Sequence, residues 1–229
     1  MSDVIDIDAR SEAPEEADPP PQGRLRTVLL AVIVVGVLLI AAGGGWLIRG
    51  ADQPKAAGPN AVDVGFAQDM ATHHTQAVTM AGIERDRTTN PALHALAFDM
   101  ETIQQFQVGE MQGWLDEWGK SRNNDNQMAW MGHDHMAMGA DGLMPGMATP
   151  AELDKLVRVR GKALDILFLQ LMIRHHQGGL PMAQYALEHA SKPYVRDMAQ
   201  SMINSQSTEI VQMEQQLRAL GGTTLPAPS

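Results

Sequence analysis

No cysteine occurs among the 229 residues, which excludes disulfides, thiolate metal sites, iron–sulfur clusters and thiol catalysis. Aromatic residues are scarce, ten against sixteen methionines, so any core must be filled largely by aliphatic and thioether side chains. Basic residues are outnumbered, 17 Lys and Arg against 27 Asp and Glu. Of the formal charge of −10, about −7 falls on residues 60–229 with no basic patch, which argues against nucleic acid and suits attraction of cations. Strand-like alternation is absent beyond residue 60. No H-E-x-x-H, G-x-S-x-G or P-loop is present, and no Glu is followed by His three residues on, as di-iron carboxylate bundles require. These absences point away from an enzyme.

What is present is a repeat. Phe66–Ala81 reads FAQDMATHHTQAVTMA and Phe168–Ala183 reads FLQLMIRHHQGGLPMA, 102 residues apart. The offset persists without a gap to Leu115 and Leu217, with 13 identities in 50 positions. Only a duplicated structural unit keeps register that long. The survivors in both copies are dominated by His, Met and Gln, side chains that ligate or orient a soft metal.

The N-terminal region reads as a device for placement. Residues 1–26 form an acidic, Pro-bearing tail with too little apolar surface to fold, assigned to the cytoplasm. Residues 27–48 follow as a transmembrane anchor, uncharged from Val28 to Ile48 and long enough to span the roughly 30 Å hydrocarbon core. Arg24 and Arg26 before it set the tail inside and the large domain on the extracytoplasmic side; cleavage near Ala41-Ala42-Gly43 would instead secrete the domain. Residues 49–59 are a tether, 60–220 the domain and 221–229 a tail.

The domain reads as all-α. Asn60 or Asp63 caps a first helix whose Phe66, Met70, His73, Ala77 and Met80 fall within about 80° of arc, a core-facing stripe. Asn90-Pro91 opens a second helix that ends near Trp118, before Gly119. Thr149-Pro150-Ala151-Glu152 is a capping box opening a third helix to about Ala190, with Gly178-Gly179 as a place to bend or loosen. Ser191-Lys192-Pro193 opens the fourth, which Gly221-Gly222 ends. Two repeated hairpins predict an antiparallel four-helix bundle with approximate twofold symmetry, preceded by the transmembrane helix.

That symmetry should bring His73 and His74 against His175 and His176. A single histidine on an apolar face is most often a core residue satisfied by a hydrogen bond. Two adjacent histidines, repeated in register, favour metal ligation by His73, His74, His175 and His176, with Met70, Met80, Met172 and Met182 as packing residues or thioether ligands. Gln104 and Gln206 lie on the stripe of Met100/Met111 and Met202/Met213 and could support the imidazoles from behind. Glu209 could add a carboxylate, its counterpart being Gln107. His94 and His189 have no repeat partner and read as surface residues.

The doubled F-x-x-x-M-x-x-H-H-x-x-x-x-x-M-A pattern resembles a bacterial secreted family, domain of unknown function 305, over about residues 60–220. Met172-Ile173-Arg174-His175-His176-Gln177-Gly178 is the most specific stretch. The first copy departs from it, with Ala71-Thr72 before its histidines and Thr75-Gln76 after. The resemblance implies a ferritin-like fold of two similar helical hairpins, each with a His–His step. It also implies, from a few members, copper binding and copper resistance outside the cytoplasm.

Between the hairpins, residues 119–149 hold six methionines within 20 positions together with His133 and His135. Gly, Asn and Asp punctuation argues against a regular helix. Thioethers suit Cu(I) and imidazoles suit both copper states, so Met131, His133, His135, Met136 and Met138 could form an adaptable copper site. The alternative is a loop that packs its methionines and Trp130 onto the bundle. Two functions stay open: a membrane-anchored extracytoplasmic protein that binds copper ion for sequestration, tolerance or handover, or a non-catalytic structural module with a buried histidine network and a protein partner that the sequence does not name.

Overall fold

The computed structural model describes residues 57–132, 138–139 and 141–228. The acidic tail, residues 27–48, most of the tether and loop residues His133, His135 and Met136 lie outside them. Among the described residues there are five α-helices, one 3-10 turn and no strand: α1 (Ala61–Arg87), α2 (Pro91–Glu117), the 3-10 turn Ala129–Met131, α3 (Pro150–Arg158), α4 (Lys162–His189) and α5 (Pro193–Ala219). None of these helices is long and apolar enough to cross a membrane.

Local chemistry sets the starts. Asn60 and Asp63 exchange side-chain and backbone hydrogen bonds in a capping box on α1. Asn90 caps α2 ahead of Pro91, and Thr149 with Glu152 boxes α3. The expected continuous third helix is two helices. The break lies at Val159–Gly161, where Gly161 takes a left-handed φ of 56°, and not at Gly178-Gly179, which stay inside α4. The orphan carbonyls at the break are satisfied by two arginines: the Arg87 guanidinium donates from a distance to Leu156 O (3.3 Å) and Val159 O (2.7 Å), and neighbouring Arg160 donates to Val157 O (2.7 Å), Arg158 O (3.0 Å) and Val159 O (2.8 Å).

α1 packs on α2 and α4 on α5, and the two hairpins meet through α1 and α4 in a helical bundle. Each hairpin clips the other's turn. Asp63, at the start of α1, accepts from Ser191 Oγ and from Lys192 N (2.9 Å), and its counterpart Asp165, at the start of α4, accepts from Thr88 Oγ1 (2.9 Å). The core divides into two apolar clusters. One holds Phe66 and Met70 with Met182 and Ala183; the other holds Phe168 and Met172 with Met80 and Ala81. The Phe–Met step of each repeat therefore packs with the Met–Ala step of the other, as it must where two equivalent helices run antiparallel across a dyad. The His–His steps fall between the clusters, at the middle of the bundle.

Candidate metal centre

All four histidines are buried, with exposures of 0 to 1%. His73 of α1 and His175 of α4 meet face to face, their ring centroids 3.8 Å apart with 35° between the planes. His74 and His176 flank them, with centroids 6.5 Å and 6.4 Å from their chain neighbours. The expected meeting of the two repeats through their His–His steps is what the bundle produces.

Each of three rings is pinned through Nε2. His73 Nε2 lies 3.1 Å from the Pro145 carbonyl, which can only accept, so this nitrogen carries the proton. His74 Nε2 is 2.9 Å from Gln107 Oε1, and His176 Nε2 is 2.7 Å from Glu209 Oε2. Gln107 and Glu209 occupy equivalent positions, 33 residues after their histidines, so one support has diverged into an amide and a carboxylate. The sequence pointed to Glu209 for this role. It missed Gln107, whose signal was its register with Glu209.

Four of the five remaining ring nitrogens have no hydrogen-bond partner. Nδ1 of His73, His74 and His176 and Nε2 of His175 are buried without a hydrogen bond, as are Oε1 of Gln104 and Gln206. Gln206 sits beside the centre: a Cβ built on Gly179 would come 3.1 Å from Gln206 Oε1 and 3.3 Å from His73 Cε1. Buried polar atoms are seldom left unpaired, so four such nitrogens in one layer call for a partner. Burial, reinforced by like charge between the rings, keeps His73, His74 and His175 neutral. It lowers His74 to about 3, and it lowers His73 to about 4 despite the Pro145 contact; His175 is held well below the usual imidazole range by burial and then by its three neighbours. A neutral imidazole with its far nitrogen hydrogen-bonded is the form in which histidine ligates metal. Among the described residues no three His, Asp or Glu side chains already converge as a ligand set.

Met70, Met80, Met172 and Met182 are fully buried in the apolar clusters on either side of the histidine layer. Met131 is buried and Met138 half-buried, both packed against the first cluster. Asp69 fixes the loop, accepting from Asn124 Nδ2 (2.9 Å), Met128 N (2.7 Å) and Trp130 Nε1 (2.8 Å), while the Trp130 ring lies against Gly65, where no side chain would fit. His94 and His189 are exposed.

Comparison with known proteins agrees with this layout. A profile of the family described as domain of unknown function (DUF305) matches residues 63–217. The crystal structure of a DUF305 protein from Streptomyces coelicolor, described as secreted, is 40% identical and superposes with a TM-score of 0.66, over 72% of this chain and 96% of its own. A DUF305 fragment from Deinococcus radiodurans is 30% identical with a TM-score of 0.59, over 72% and 99%. CopM in its Cu(I)-bound form is 26% identical with a TM-score of 0.54, over 70% and 98%; CopM in its Cu(II)-bound form is 26% identical with a TM-score of 0.53, over 69% and 96%. No curated protein matches the sequence. On the family match and the 40% identical Streptomyces relative, the chain belongs to the DUF305 family.

Proposed function

We propose that this protein binds copper at the layer formed by His73, His74, His175 and His176, and that it acts by holding the ion outside the cytoplasm for sequestration, tolerance or handover, without catalysing a reaction. The observation that carries the reading is the set of four buried ring nitrogens without partners, three of them on rings whose Nε2–H is committed elsewhere. Imidazole suits both copper states, and the thioethers above and below the layer add soft donors within one or two helical turns. Copper-bound CopM, a relative of similar fold, supports the choice of metal. The uncharged run Val28–Ile48 and the relative described as secreted support an extracytoplasmic domain held by a single anchor.

The test is titration of the purified full-length protein with Cu(I), under anaerobic conditions and against a competing chelator, and separately with Cu(II). The reading expects saturable binding at micromolar affinity or tighter in at least one state. Weak, non-saturating uptake of both would remove it and leave the histidines as a structural network.

A further inference from the structure

The two repeats differ where one would expect them to agree, immediately after the histidine pairs. Gln76 in the first copy stands at the position of Gly178 in the second. Both touch the same piece of chain, the five residues from Met144 to Ala148. The Gln76 amide clamps it twice, accepting from Ala148 N (2.6 Å) and donating to Ala148 O (2.9 Å). Gly178 lies directly under Pro145, so that a Cβ there would collide with the Pro145 carbonyl. Gly146 is its complement, with a φ of 80° and a Cβ position only 3.0 Å from His175 Cα. A single strand of chain can cross a twofold axis only once, so it must meet one copy differently from the other. The Gln/Gly divergence matches that requirement: one copy grips the strap and the other makes room for it.

We propose that Met144–Ala148 is the positioning element of the histidine centre, its Pro145 carbonyl fixing the Nε2–H tautomer of His73 while Gln76 and Gly178 hold that carbonyl in place. His74 and His176 are pinned by side chains from α2 and α5, which belong to the hairpins. His73 alone of the three is pinned by backbone from outside them. Without the strap, Nε2 and Nδ1 of His73 would compete for the proton, and Nδ1 would lose its lone pair in part of the population. The proposal rests on reading His73 as a ligand, but its first consequence is visible without metal.

The experiment uses full-length protein labelled with 15N-histidine, metal-free, in wild type and in Gln76→Ala and Gly178→Ala variants. Wild type is expected to show His73 with Nε2 protonated and Nδ1 bare. Each variant should move His73 toward a tautomer mixture while His74 and His176 keep their patterns. Cu(I) affinity, measured by chelator competition, should fall roughly 10–100-fold, the usual loss when a ligand's hydrogen-bond support is removed. If Gly178→Ala does not fold, Gln76→Ala carries the test alone, since it removes two hydrogen bonds without adding bulk. An unchanged His73 pattern in the folded variants overturns the proposal. So does a shift of all three rings together, which would mean general loosening, or an unchanged Cu(I) affinity once the His73 pattern has moved. Failure of wild type to bind copper while the His73 pattern still follows the strap would overturn the copper reading and leave the strap's control of His73 standing.

Discussion

An imidazole whose Nε2–H is committed to an acceptor has one nitrogen left, and that nitrogen can only accept. His73, His74 and His176 are in this state, and burial makes charging His73 and His74 costly, which ties the centre to pH. In the unfolded chain His73 and His74 take up a proton near 6.5, whereas folded His73 does so only near 4 and His74 near 3. The unfolded state therefore binds more protons below 6.5, and stability is lost as pH falls through that range, by up to about 1.4 kcal/mol per pH unit for each ring. Glu84 acts in the opposite sense. It is fully buried, and burial first, then the charge of Asp165, pushes it up from 4.5 to about 8. The folded state holds that proton where the unfolded chain has released it, so this contribution is lost as pH rises from 4.5 to 8. Chemical denaturation from pH 4 to 9 is expected to show stability climbing to about 6.5, where the several histidines outweigh one carboxyl, and then declining toward 8. In Glu84→Gln the decline above 6.5 should disappear. A decline of the same steepness in that variant would contradict the assignment.

At the scale of elements, helix starts were legible because their chemistry is local: Asn60 with Asp63, Asn90 before Pro91, and Thr149 with Glu152 each complete a cap within four residues. The break before α4 was not legible. Its carbonyls are satisfied partly by neighbouring Arg160 and partly by Arg87, about 70 residues away, which no sequence window contains. Gly178-Gly179 misled for a related reason. Their missing side chains serve the approach of Pro145, Gln206 and His73 and leave the helix itself unbroken. The loop between hairpins was open to two readings, and its described part is held down by Asp69, a buried carboxylate that receives Met128 N and Trp130 Nε1. Asp69→Ala would leave two buried donors unsatisfied, at about 1–3 kcal/mol for each. Equilibrium unfolding should register that loss, together with a red shift of tryptophan emission as Trp130 gains water. Unchanged stability and emission would mean that the loop is not held there.

At the scale of the whole molecule, the duplication accounts for the make-up of the layer: one His–His step used twice brings four buried imidazoles together at a dyad. The 102-residue register was enough to foresee that meeting, and the rings do meet, 3.8 Å apart. The departures from symmetry, Gln107 against Glu209 and Gln76 against Gly178, could be seen in the sequence but not interpreted, because their partners are a ring across a hairpin and a strap from the loop. The central claim is that this layer ligates metal. Metal that binds only the folded state adds RT ln(1 + [L]/Kd), about 2.7 kcal/mol at a hundredfold excess over Kd, whereas a core histidine lends stability that metal does not alter. The direct measurement is thermal melting of wild type and of the His73→Gln/His175→Gln double variant, each with and without copper. The account predicts a copper-dependent rise in Tm for wild type alone; an equal rise in both proteins would contradict it.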